Sequence, residues 1–279
     1  MIENSIFPCI WFNGDGNEAA AFYCRIFGGT ITTDSPVVLN FDLFGQRIMI
    51  LNAGPQFQRN DSFGFTVLCN NSEEMMRYVG LLSENSLDFL PLFEGDCCTV
   101  RDQFGISWSL LLDGRNGAQK IIPTLIFGNQ NFNNAEIAGL RYTSIFKSED
   151  KTETENLNRN KEEIFPRGNV AKLNDYKILC RKTDSSENNH FTEAFSLVVL
   201  TDDQAKTDYL WESLLANGGR ASMCGWLKDE FGVSWQIVPR RLLELMNDLE
   251  EPEKAQRVVQ AMMTMQKIEI HELEAAYNA

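Results

Sequence analysis

Cys97 and Cys224 are the side chains with the clearest capacity for covalent chemistry, and they occupy matching places. They stand 127 residues apart, each five residues ahead of the same short phrase. A nucleophilic thiol needs its pKa lowered by a base or a cation. No histidine lies near either one in sequence, and Lys228 and Arg220 are the cations nearest Cys224. The competing reading is a cysteine serving as a small buried apolar residue. Trp11, Trp108 and Trp235 sit in apolar runs; such rings bury large area and orient planar ligands, or else simply fill a core. Asn52, just ahead of Gly54-Pro55, can hydrogen-bond a ligand or close an Asx-type turn. Gly14-x-Gly16 is the nearest approach to a nucleotide-type glycine fingerprint, and it lacks the third glycine. The residues therefore call for no cofactor.

The phrase behind the cysteines is the chain's organising unit. Asp102-Gln103-Phe104-Gly105-Ile106-Ser107-Trp108-Ser109 returns as Asp229-Glu230-Phe231-Gly232-Val233-Ser234-Trp235-Gln236. Both read as a hairpin turn, with glycine supplying positive φ, followed by a strand. The repeat extends outward. Phe7-Pro8-Cys9-Ile10-Trp11-Phe12 answers Ile122–Phe127, Tyr23–Phe27 answers Tyr142–Phe146, and Phe65–Leu68 answers Phe195–Val198. The chain thus divides into 1–117, 118–240 and a tail, 241–279.

Within the first repeat, strand 7–12 precedes a helix opened by Asp15 and Glu18 as a capping box and stopped at Gly28-Gly29. Strands 30–33, 37–43 and 46–52 follow, the last two as a hairpin around Phe44-Gly45. A second unit repeats the plan: strand 63–69, a helix capped by Asn71 and Glu74, then strands 90–93, 99–101 and 106–112. The unit is βαβββ, twice per domain. The second repeat follows suit, with a helix over 134–146, a hairpin around Asn174-Asp175 and a helix over 202–215. It also carries a charged excursion at 147–169, read as a surface loop or a flap over a site. In the tail, Pro252 beside Glu250, Glu251 and Glu253 suits a helix start. Ala255, Val258, Val259, Met262 and Met263 then recur with helical period. That stripe must dock, on its own domain or on a second copy.

Bulk properties narrow the classes. The chain has 279 residues, is 43% hydrophobic and carries a formal net charge of −14. That charge disfavours nucleic acid and anionic membrane surfaces as partners. No apolar run reaches membrane-spanning length, and the N-terminus shows no secretory signal. Seven scattered cysteines, an odd number, argue for a reducing compartment, hence a cytoplasmic protein.

Duplicated βαβββ units closed by Asp-x-Phe-Gly resemble the vicinal oxygen chelate superfamily, which includes glyoxalase I, extradiol dioxygenases and bleomycin-resistance proteins. Leu51-Asn52-Ala53-Gly54-Pro55-Gln56-Phe57 and Cys224-Gly225-Trp226-Leu227-Lys228 are similar to hallmarks of its PhnB-like branch, often labelled demethylubiquinone methyltransferase-like. The resemblance implies an α+β fold: two half-barrel, glyoxalase-like domains, here fused in tandem with a helical C-terminal extension. Single-domain relatives dimerise, so a homodimer and a monomer whose domain pair replaces one are both open. The resemblance also implies a divalent metal on the strands of a cup. Its ligands would fall near Pro8 and Pro123, near Phe65 and Phe195 or Ser196, and at Ser109 and Gln236. Only Gln236 is a plausible donor there, and the chain's two histidines, His190 and His271, lie on none of these strands. No metal is expected. The reading is a metal-independent small-molecule-binding protein with an apolar-aromatic cavity, contacted by Trp11, Asn52, Trp108, Trp235 and Gln236. The alternatives are a metal-dependent lyase or isomerase, a methyltransferase as the branch label implies, or an interaction protein self-associating through its C-terminal helix.

Overall fold

The computed structural model describes residues 5–86, 91–113, 119–128, 133–147, 168–183 and 190–279. Most of the charged excursion lies outside these residues. Two compact units emerge: residues 10–195, and residues 1–9 together with 196–279. Neither coincides with a sequence repeat.

The 10–195 unit begins within β1 (Ile6–Phe12) and α1 (Gly16–Phe27). Ala19, Phe22, Tyr23, Ile26 and Phe27 bury one face of α1, the i, i+3, i+4 spacing of an amphipathic helix. Gly28, at φ 74°, ends it by returning its N–H to the Cys24 carbonyl. The expected Asp15 cap does not form; the Asn52 carboxamide oxygen takes the N–H of Gly14 at 2.7 Å instead. β2 (Thr30–Asp34), β3 (Val38–Leu43) and β4 (Gln46–Asn52) form an antiparallel meander, turning β3 into β4 at Phe44-Gly45.

β5 (Phe63–Cys69), α2 (Ser72–Leu82), β6 (Leu92–Glu94), β7 (Cys97–Arg101) and β8 (Ser107–Leu112) make the second βαβββ unit. β5 runs parallel to β8, and β6–β7–β8 is antiparallel. Gly64 is required at the closest approach, where a Cβ would stand 2.3 Å from the Ser107 carbonyl oxygen. β9 (Ile121–Phe127), α3 (Asn134–Ile145), β10 (Gly168–Leu173) and β11 (Tyr176–Lys182) are the described parts of the third unit. β9 pairs antiparallel with β5, Gly64 opposite Thr124, giving a seven-stranded sheet ordered β10-β11-β9-β5-β8-β7-β6. One sheet therefore joins strands from both sequence repeats across residues 117 and 118.

The other unit holds β12 (Phe195–Thr201), α4 (Gln204–Leu215), β13 (Arg220–Ala221), β14 (Trp226–Lys228) and β15 (Ser234–Pro239). β12 is parallel to β15, with Ser196 opposite Ser234. Gly64 faces Ser107 in the same way, so the repeat aligns Phe63 with Phe195. That is two residues from the alignment with Phe65 drawn from sequence, and an even slip keeps every side chain on its face. The tail forms α5 (Arg240–Met246), α6 (Pro252–Met262) and α7 (Ile270–Asn278). Leu242, Leu245, Val258, Met265, Ile268 and Leu273 make its buried cluster. The apolar stripe of α6 is thus spent largely within its own unit. No helix among the described residues is long and apolar enough to cross a membrane.

α2 is capped by Asn71, whose Oδ1 accepts from the Glu74 N–H at 2.8 Å, while Glu74 accepts from the Asn70 N–H at 2.7 Å, one residue ahead of the N-cap N–H of a strict capping box. Glu74 also takes the Tyr78 hydroxyl and pairs with Lys120. Burial pushes the Glu74 carboxyl up, but Lys120, Asn70 and Tyr78 together hold it below the ordinary glutamate value. A depressed folded pKa contributes stability above the unfolded pKa and loses it as pH falls through the folded value. Glu74→Gln should therefore cost about 1 kcal/mol at neutral pH and progressively less below roughly pH 4. Urea unfolding at the two pH values measures it; a gap of equal size at both would refute the linkage.

Candidate functional site

The two sides of the seven-stranded sheet differ in chemistry. On one, Phe65 stacks on Trp108 with centroids 4.8 Å apart, and Trp108 packs on Tyr23 and Phe27 of α1. On the other, the alternate residues are short and polar. The Thr66 and Thr124 hydroxyls lie 2.8 Å apart, Thr99 and Ser109 3.3 Å apart, and Arg181 Nη1 donates to Ser109 Oγ at 2.8 Å. Thr66, Thr99, Ser109 and Arg181 open into a cavity of about 120 Å³ lined also by Leu92, Glu94, Cys97, Leu111, Leu179 and Lys182.

The repeated phrase is a structural device. Asp102, nearly buried, accepts from the Phe104 and Ile106 N–H groups, from Trp108 Nε1 at 2.7 Å and from the Tyr23 hydroxyl at 2.8 Å. One carboxylate thereby shapes the turn, fixes the indole and ties the hairpin to α1. Burial pushes the Asp102 carboxyl up while these donors oppose the shift. The same burial, with Asp102 adjacent, raises the Tyr23 phenol well above its usual value. Asp229 repeats the geometry on Phe231, Val233 and Trp235.

The expected site residues fall in different places. Trp108 and Trp235 are fully buried with their indoles bonded to Asp102 and Asp229; Trp108 packs on the helical side of its sheet rather than lining the cavity. The cavity lining mixes polar with aliphatic side chains and includes no aromatic ring. Trp11 is half-buried, donates to the Gly54 carbonyl at 2.7 Å and meets Phe57 edge-on. Asn52 holds the loop into α1, so the Asn-Gly-Pro stretch clasps Trp11 and that loop. Gln236 lies in the 196–279 unit and donates to Ser196 Oγ at 2.9 Å. Cys97 does line the cavity, but burial pushes its thiol up, outweighing the nearby Arg181. Burial raises the Cys224 thiol too. Both shifts run opposite to the activation a nucleophile needs.

Sequence reasoning missed Arg181, Thr66 and Thr99. The signal was present in β11, where alternation places Arg181 on the face of Leu179 and away from buried Cys180. The two repeats have diverged here. By pairing register, Trp226 and Gln236 stand on β14 and β15 where Thr99 and Ser109 stand on β7 and β8.

A divalent ion in such a cup needs three or four converging N, O or S donors. Of the expected positions, Phe65 packs on Trp108, Pro123 stands opposite it in the β5–β9 pairing, and Ser109 reaches the cavity as a hydroxyl bonded to a guanidinium. Among the described residues no group of three His, Cys, Asp or Glu side chains converges. A cation already pointing into a set of neutral hydroxyls does not fit a divalent metal.

A glyoxalase I mutant from Zea mays shares the fold at a TM-score of 0.53, with 10% identity, over 84% of this chain and 94% of its own. The cppA protein of Streptococcus pneumoniae also spans 84% of this chain and 97% of its own, at 11% identity and a TM-score of 0.46. A PhnB protein from Bacillus cereus is 23% identical over 38% of this chain and 96% of its own, with a TM-score of 0.33. No curated protein matches the chain. A family model described as 3-demethylubiquinone-9 3-methyltransferase matches residues 4–111 and again residues 119–238. With most of its length matched in two successive segments, the chain belongs to the 3-demethylubiquinone-9 3-methyltransferase family and carries that family's domain twice in tandem.

Proposed function

We propose that the chain is a metal-independent small-molecule-binding protein whose ligand sits in the polar cup of the 10–195 unit. The carrying observation is the Arg181 guanidinium, half-buried in the cavity wall with a serine hydroxyl as its hydrogen-bond partner. Ligand pockets combine apolar walls with a few placed polar groups; here Leu92, Leu111 and Leu179 supply the first and Arg181, Ser109 and Thr99 the second. The seven cysteines are free thiols, which supports a reducing, cytoplasmic setting.

The test is a thermal-shift screen of small molecules on the full chain, beside Ser109→Trp, which fills the cavity from β8. A ligand that binds only the folded state at 100 times its Kd adds about 2.7 kcal/mol of stability. The expected result is a rise in Tm for some compounds in the wild type, lost in Ser109→Trp. A broad screen without a hit would overturn the reading. A rise with S-adenosylmethionine that survives Ser109→Trp would overturn it in favour of the methyltransferase alternative.

A further inference from the structure

The polar groups of the cup carry a definite charge logic. Among the described residues, Arg181 has no carboxylate within ion-pair distance, and its Nη1 donates to Ser109 Oγ at 2.8 Å. This is a chain with 39 acidic side chains against 25 Lys and Arg, where a carboxylate partner would be easy to supply. Ser109 Oγ accepts from Arg181 and shares a hydrogen bond with Thr99 Oγ1 at 3.3 Å in which either oxygen can donate, so one hydroxyl proton of the pair is left for a ligand. The guanidinium has five N–H donors and no acceptor, and only one of its donors goes to Ser109, which leaves the complement of an oxyanion. Leu111 and Leu179 line the same space, so the oxyanion's body is short and apolar.

Size and sign narrow the class. The cavity, about 120 Å³, is somewhat smaller than the roughly 150 Å³ that takes a benzene ring, enough for a head group and a few carbons. Glu94, exposed on the edge strand β6, and Lys182 line it too, so two cations face one carboxylate and a single negative charge on the ligand neutralises the lining. We infer that the cup selects a small organic monoanion, a short-chain acid bound by its oxyanion to Arg181, Ser109 and Thr99. This deepens the small-molecule reading and rests on it. Carboxylates and phosphonates share this chemistry.

The experiment is calorimetric or saturation-transfer titration of the full chain, at mildly acidic pH where methylphosphonate carries one negative charge, with propionate, lactate and methylphosphonate, and with propionamide as the neutral isostere. Wild type, Arg181→Gln, Arg181→Lys and Ser109→Trp are compared, each first shown to unfold cooperatively. The expected result is that acids bind the wild type and propionamide does not compete. Arg181→Gln should then weaken the acids about 10- to 100-fold, the usual worth of a charge-assisted hydrogen bond, while Arg181→Lys recovers part of the loss. The stronger of lactate and methylphosphonate identifies the head group. If propionamide binds as well as propionate, with Arg181→Gln harmless and Ser109→Trp blocking both, the anion assignment falls and the cup reading stands. Acids held equally by wild type and Ser109→Trp would place them elsewhere and overturn both. Absence of acid binding at millimolar concentration overturns the anion assignment, leaving the broader screen to judge the cup.

Discussion

Asp102→Ala is expected to lower the stability of the 10–195 unit by about 4 kcal/mol, with Asp102→Asn costing about half as much. The alanine variant leaves two backbone N–H groups, an indole N–H and a phenol without the acceptor that now serves them all. Three of these four donors are buried, the Phe104 N–H being part-buried, so water cannot replace the carboxylate cheaply. Tyr23 and Trp108 are at most 1% exposed and lie 5.2 Å apart, ring to ring. Asparagine keeps one carbonyl oxygen but turns an NH₂ toward a pair of donors, so half the set is lost and a repulsion is added. Urea unfolding followed by tryptophan fluorescence reads both variants. A third change, Tyr23→Phe, removes a single donor with the partner still well bonded, and should cost only about 1 kcal/mol. The ordering alanine, then asparagine, then Tyr23→Phe follows from counting stranded groups. An alanine variant within about 1 kcal/mol of the wild type would show that the hairpin is held by its backbone alone.

Asp102 also explains which parts of the molecule can be read from the chain. The repeated phrase, the βαβββ order and the hairpins at Phe44-Gly45 and Asn174-Asp175 depend on local spacing and on residues tolerant of positive φ; Phe44 and Asn174 take φ of 52° and 55°. Faces are harder. Ser107-Trp108-Ser109 alternates small polar with large aromatic, and period two fixes which residues share a side but not which side carries the helices. The helices cover the Trp108 side of the sheet, and Ser109 on the other side lines the cavity. The pairing of β5 with β9 is a contact between different repeats, with no local signature, and it brings Arg181 within reach of Ser109, 72 residues away. The Cys-Gly-Trp stretch was legible as a signature but not as a device, because its partner lies some 40 residues downstream in a tail that shares no spacing with the repeats.

That partnership sets the second large effect. Gly225 has φ +80°, and a Cβ there would stand 2.7 Å from the Ile237 carbonyl oxygen and 3.2 Å from Ile268 Cγ1. Its own N–H donates to the Gln266 carbonyl at 2.8 Å, and the Cys224 N–H to the Met265 carbonyl at 2.7 Å. Gly225→Ala carries about 1–2 kcal/mol of left-handed backbone strain, and the displacement of β15 or the tail raises the expected loss to about 3 kcal/mol. Ile268→Ala opens a cavity in the fully buried tail cluster and should cost about 3–4 kcal/mol. The two are not independent. Truncating Ile268 removes the Cγ1 atom that a Cβ at position 225 would meet, so the double variant should be more stable than the sum of the single losses predicts, by about 1 kcal/mol. Chemical unfolding of the three variants closes the cycle. Strict additivity would mean that the methyl group added by Gly225→Ala is accommodated by moving β15 alone, and that the tail rests on the sheet without being keyed into it.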